Sequence, residues 1–125
     1  VIQKLVLIAV AGGLGTLARF GLSGIVQHAI GRTFPWGTVC VNLVGCFGFG
    51  VLWAIMEDRL SVSGDVRIVV LVGFMGAFTT FSTFVFETGQ LIEELQWMWA
   101  LANLLIQNIV GIACLFVGLA IGRLL

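Results

Sequence analysis

The chain is poor in charge. Asp, Glu, Lys and Arg make up 10% of its 125 residues, six of each sign, so the formal net charge is zero. A soluble domain of this length carries far more charge, and a nucleic-acid-binding one carries a basic face. Both classes are excluded. Histidine occurs once, as His28, in the polar connection around Gly31, Arg32 and Thr33, where it reads as a solvated residue. With no nucleophile paired to a base and no metal-ligating cluster, an intramembrane enzyme is excluded as well. Cys40, Cys46 and Cys114 are odd in number and lack metal-ligand spacing. They read as small buried hydrophobes. Tyrosine is absent and no alternating strand pattern appears, which argues against an outer-membrane barrel. The single proline, Pro35, suits the first turn of a helix, where its missing N–H is no loss.

What is present is hydrophobic: 60% of the residues, in runs long enough to cross a bilayer, which takes about 20 residues each. The expected fold is an all-α integral membrane protein with four transmembrane helices, the third broken. It forms a single domain over residues 1–125, with spans at 2–29, 35–56, 67–92 and 97–125. Lys4 to Gly15, with Ala9-Val10-Ala11, imitates a signal peptide, but the apolar run continues and further spans follow. Gly13-x-Gly15-x-x-Ala18 imitates a dinucleotide fingerprint without the strand that motif requires.

Glycine is abundant, 17 residues in all. The first span carries Gly12, Gly13, Gly15, Gly21 and Gly24, and the fourth carries Gly118-x-x-x-Gly122. Small residues let membrane helices approach closely. Arg19 lies well inside the first span, where a cation is costly and usually paired or functional; it calls for backbone carbonyls or another polar partner. Thr38 and Asn42 share a face at i, i+4 spacing. Asn42 is either an interhelical fastener or an amide donor in a pathway. In the fourth span Asn103, Gln107 and Asn108 form a polar patch. Four spans place both termini on one side, with Lys4, Arg59, Arg67 and Arg123 against Arg32 on the other. That is a modest bias of the terminal side toward the cytoplasm.

The third run contains Gly73-Phe74-Met75-Gly76-Ala77-Phe78-Thr79-Thr80-Phe81-Ser82-Thr83-Phe84. Gly76 followed by β-branched Thr79 and Thr80 predicts a helix that breaks and resumes. Irregular backbone at bilayer depth survives only where protein buries it or a cavity is lined by it. Phe78, Phe81 and Phe84 recur at i, i+3, i+6 and are expected on one face. Their ring edges are positive, so edges turned into a pathway attract a small anion without a fixed cation. Ser82 and Thr83 add hydroxyl donors, and Asn42 an amide. Weak, multi-site contacts of this kind suit conduction. Carbonyls freed at the break suit a hard cation such as Na+. Glu87, three residues past Phe84, falls near the pathway end. Four helices leave little room for an enclosed pore, so a homo-oligomer is expected, most simply a dimer.

Gly76-Ala77-Phe78-Thr79-Thr80-Phe81-Ser82-Thr83-Phe84 resembles the signature of the Fluc/CrcB fluoride channels. Gly12-Gly13-Leu14-Gly15-Thr16-Leu17-Ala18-Arg19-Phe20 resembles the family's first-helix motif. Pro35-Trp36-Gly37-Thr38 with Val41-Asn42-Leu43-Val44-Gly45 resembles its second. The resemblance implies a multi-pass protein of a bacterial-type inner (plasma) membrane, in which two copies insert antiparallel as a dual-topology homodimer with two fluoride pathways. It implies that Phe81 and Phe84 line those pathways edge-on, that Asn42 hydrogen-bonds the ion, and that Ser82 and Thr83, with Thr38, form a polar track. It further implies backbone carbonyls of Gly76 and Thr79 on a central structural Na+, Arg19 as a structural cation and Glu87 as a pathway-end carboxylate. No organic cofactor is implied. The fourth span departs from the pattern, with Leu104, Asn108 and Ile112 where an aromatic or hydroxyls are usual; Asn108 is the plausible replacement. The alternative reading is a small multidrug-resistance-type proton-coupled exporter, which needs an intramembrane carboxylate that the first span lacks.

Overall fold

The computed structural model describes residues 1–59 and 61–125. Among the described residues, four helices are long and apolar enough to cross a membrane. Helix α1 is Ile2–Ile30 and α2 is Trp36–Asp58. The third span, Gly64–Glu93, divides into α3 (residues 64–78) and α4 (Phe81–Glu93). Helix α5 is Trp97–Leu124. The π-helical segments Ile68–Met75 and Ile106–Val110 lie within α3 and α5. Such wider turns are rare and concentrate at functional sites.

The ends have local causes. Gly31 leaves α1 with a positive φ of 117°, a conformation that suits glycine. His28 lies in the last helical turn and is exposed. Gln27 fastens the connection that follows: its Nε2 donates to the Phe34 carbonyl at 2.9 Å, and its Oε1 accepts from the Gly37 N–H at 2.9 Å. The third span starts at Gly64 rather than Arg67 because Ser63 Oγ accepts from the Val66 N–H and caps it. Hydropathy alone does not register such a cap.

Helix α2 packs most extensively against the C-terminal half of α5, and α1 against α3. The first seam depends on the absence of side chains. A Cβ on Gly118 would run into the Phe47 carbonyl, and one on Gly50 into that of Leu115. The Gly118-x-x-x-Gly122 pair therefore seats α5 on α2 of the same chain. The core falls into two clusters: Val41, Met56, Leu71, Met75 and Phe78, then Phe34, Val39, Leu91 and Ala100. Helix α1 contributes little to either; Gly15 is its one buried residue. At the terminal end Lys4 pairs with Asp65 at 2.8 Å, and Arg67 donates to the Met56 carbonyl at 3.0 Å.

Candidate functional site

The third span breaks at Thr79 and Thr80, both extended (φ −90°, ψ 161° and φ −148°, ψ 123°). An extended pair inside a bilayer leaves backbone groups without helical partners, and these must be satisfied internally. Two devices do so. The Thr80 side chain caps α4 by accepting from the Thr83 N–H at 3.3 Å. Asn42, on α2, grips the Thr80 backbone at two points. Its Oδ1 accepts from the Thr80 N–H at 2.8 Å, and its Nδ2 donates to the Thr80 carbonyl at 2.9 Å. The side-chain amide thus pairs with the main chain as a neighbouring strand would.

The same two devices release carbonyls. The Thr80 N–H turns to Asn42 instead of the Gly76 carbonyl four residues back. The Thr83 N–H turns to Thr80 Oγ1 instead of the Thr79 carbonyl. Gly76 is exposed on the surface of the chain. Hard carbonyl oxygens at a helix break are the donor type that holds Na+ in membrane proteins, so the residues present fit such an ion.

The break separates two cavities. One, of about 440 Å³, is lined by Asn42, Thr79, Phe81, Phe84, Gln107 and Asn108, among others. The other, of about 380 Å³, includes Thr16, Arg19, Ser23, Thr38 and Thr83. Thr80 faces both. Asn42, Phe81 and Phe84 are therefore brought together, while Thr38, Thr83 and Arg19 gather on the opposite side. Ser82 is exposed and lines neither. Arg19 Nε donates to the Ala77 carbonyl at 3.0 Å, across to the end of α3. Thr38 Oγ1 donates to Glu87 Oε1 at 2.8 Å. Glu87 Oε2 is buried with no hydrogen-bond partner among the described residues, and the residue lines a further polar cavity of about 260 Å³ with Arg32, Gln90 and Glu94.

The phenylalanine stripe needs correction. Phe81 and Phe84 are neighbours, with ring centroids 5.8 Å apart and planes inclined by 53°. Phe81 is 76% exposed and Phe84 only 7%. Phe78 does not join them. The two extended residues take it out of phase with α4, and it lies in the core, stacked on Phe74 at 6.1 Å. An i, i+3, i+6 pattern defines one face only while the helix is continuous.

Asn108 is exposed and donates to the Leu104 carbonyl of its own helix. Its neighbour Gln107 makes the long-range contact instead, accepting from Asn42 Nδ2 at 2.6 Å. Gln107 Nε2 donates to Asn103 Oδ1 at 2.8 Å, and Asn103 Nδ2 donates to Thr88 Oγ1 at 2.9 Å. Sequence spacing puts Asn103 and Gln107 on one face at i, i+4, but it does not identify their partners on α2 and α4. Thr88 and Gln27 carry no sequence signal beyond being polar within apolar runs.

Known proteins resemble the chain over nearly its whole length. The family model described as "CrcB-like protein, Camphor Resistance (CrcB)" matches residues 6–119. A fluoride-specific ion channel FluC of Solidesulfovibrio magneticus is 54% identical over 124 residues, covering 99% of both chains. Those of Desulforapulum autotrophicum and Nitrosococcus oceani are 53% and 51% identical over 123 residues, each covering 98% of both chains. Matched over nearly its whole length, with four apolar helices to cross the membrane more than once, the chain belongs to the CrcB family.

Proposed function

We propose that this protein is a fluoride-selective channel that exports cytoplasmic fluoride passively. Fluoride enters cells as the weak acid HF and dissociates inside, so a passive path for the anion is enough to remove it. The observation that carries the reading is the break itself: a hydroxyl-rich, extended segment clamped by Asn42, beside an aromatic pair and an adjoining cavity. The full-length relatives named fluoride-specific ion channels point the same way.

In this reading the ion passes Phe81 and Phe84 along their positive ring edges. Thr83 and Thr38 offer hydroxyls from the other side of the break and Ser82 one from the surface, and Arg19 holds the end of α3 through Ala77. Both Nδ2 hydrogens of Asn42 already have partners, so an ion at Asn42 shares the hydrogen directed at Gln107 and does not displace Gln107. Glu87 marks the mouth. The working unit is an antiparallel, dual-topology homodimer with two pores. Its support is the surface of α1: a Cβ on Gly13, Gly21 or Gly24 would meet nothing within 4 Å. Glycine has no use against lipid but permits close approach of another helix. Carbonyls of Gly76 and Thr79 from both copies would hold a central Na+. When bound, that ion supplies fixed positive charge that offsets repulsion between anions.

The test is fluoride efflux from liposomes containing purified protein, with the membrane potential clamped by an ionophore and a chloride-loaded control alongside. Fast, potential-dependent fluoride efflux without chloride efflux is the expected result. No efflux from well-folded protein sinks the proposal and returns attention to proton-coupled export of quaternary ammonium ions. That second reading has little support, since the first span carries no carboxylate.

A further inference from the structure

Four side chains, beginning with Asn42 and ending with Thr88 on α4, form a single directed chain. Asn42 Nδ2 donates to Gln107 Oε1 (2.6 Å), Gln107 Nε2 to Asn103 Oδ1 (2.8 Å), Asn103 Nδ2 to Thr88 Oγ1 (2.9 Å), and Thr88 Oγ1 to the Phe84 carbonyl (2.7 Å). Both ends are fixed by chemistry. The Thr80 N–H held by Asn42 Oδ1 can only donate, and the Phe84 carbonyl can only accept. Every amide between them therefore has one permitted orientation; reversing any one sets N–H against N–H or oxygen against oxygen. Asn103 is fully buried and Thr88 is 6% exposed, so water is not at hand to relieve a mismatch. The chain starts at the clamp on the helix break and ends at the carbonyl of an aromatic residue beside the same cavity.

We propose that Gln107, oriented by Asn103 and Thr88, is a positioning residue that fixes the Asn42 amide against Thr80 and so sets the geometry of the ion pathway. This rests on the channel reading above. Unless Gln107 is held in this orientation at both of its ends, Asn42 loses a firm third contact, its grip on Thr80 loosens, and the alignment of the break with Phe81 and Phe84 is lost. The π-helical segment Ile106–Val110 has a corresponding role, since it contains Gln107 and sets the phase at which that side chain leaves α5.

The test compares fluoride efflux by wild type, Gln107→Met and Gln107→Glu as a function of pH, with protein-free liposomes to subtract HF leakage. Methionine keeps the volume and removes both hydrogen bonds, leaving Asn42 Nδ2 and Asn103 Oδ1 without them; efflux should fall about tenfold or more. Protonated glutamate reproduces the pattern of glutamine, a carbonyl facing Asn42 and an O–H facing Asn103. Ionised glutamate has no donor for Asn103. Gln107→Glu should therefore conduct at low pH and lose efflux as pH rises, beyond any change in wild type. The wild-type profile is the baseline for Cys46, which lines the cavity, and for Glu87 on α4. Wild-type or greater efflux in Gln107→Met overturns the proposal, the latter making Gln107 a competitor for Asn42. So does a Gln107→Glu profile parallel to wild type. Should the methionine variant not fold, Gln107→Glu compared with itself across pH decides. If wild type passes no fluoride, the channel reading fails separately. The melting temperature of Gln107→Glu then judges the relay: a fall with rising pH supports it, and a course parallel to wild type overturns it.

Discussion

Asn42 satisfies three groups that its own helix does not: the Thr80 N–H, the Thr80 carbonyl and Gln107 Oε1. Asn42→Leu strands all three in apolar surroundings, at roughly 1–3 kcal/mol for each buried polar group left unpaired. The expected outcome is a clear fall in melting temperature in detergent together with loss of fluoride efflux; an unchanged melting curve would show that the break holds without the clamp. Phe81 and Phe84 separate function from stability in a way Asn42 does not. Phe81 is 76% exposed, so Phe81→Ile removes a ring edge without opening the core. Loss of a positive ring edge facing the ion should lower efflux several-fold, while the melting temperature changes little. Phe84 is 7% exposed, and Phe84→Ile should lower both. Equal efflux from both variants and wild type would remove ring edges from the mechanism.

At the scale of elements, the break in the third span was legible because its causes are local. Glycine, then β-branched threonines, then a capping hydroxyl all lie within the stretch that breaks. The partner that holds the break open was not legible, because Asn42 and Thr80 are 38 residues apart in the chain and no spacing rule connects them. The fourth span shows the same limit at finer resolution. Gln107 and Asn108 are adjacent and equally polar, and only helix phase, about 100° per residue, decides which faces α2. The π-helical segment Ile106–Val110 alters that phase, so the patch was visible in the sequence but not that Gln107 meets Asn42 while Asn108 lines the cavity beside it. The α2–α5 seam makes its own prediction. Gly118→Ala pushes a methyl group into the Phe47 carbonyl, and backbone, unlike a side chain, cannot step aside. An overpacking cost of about 1–3 kcal/mol follows, read as a lower melting temperature. Gly13→Ala, where a Cβ meets nothing within 4 Å of the same chain, is the comparison. If Gly118→Ala melts at the wild-type temperature, the two helices are not in backbone contact.

For the whole molecule the question is why a chain with so few charges leaves carbonyls free near its middle. Releasing the Gly76 and Thr79 carbonyls from their helical donors costs stability unless something else occupies them. Gly76 is exposed in the single chain, so what meets it is lipid, a second copy or a shared ion. Lipid tails offer no donor. A second copy related by a two-fold axis would present the same carbonyls, and like dipoles facing one another repel; a cation between them turns that repulsion into attraction. The homodimer and the Na+ are therefore proposed together. Ions that bind the native state alone stabilise it in proportion to their occupancy. Prolonged exchange into Na+-free buffer, with a large organic cation keeping the ionic strength, should lower the melting temperature, slow fluoride efflux, and shift the protein toward monomer on size exclusion. Re-adding Na+ should reverse all three. K+ should do so less well, because the ideal ion is one that fits the spacing of the carbonyls. A dimer whose melting temperature and efflux ignore Na+ would separate the two halves of the proposal. It would leave the carbonyls of Gly76 and Thr79 to be satisfied by donors of the partner copy.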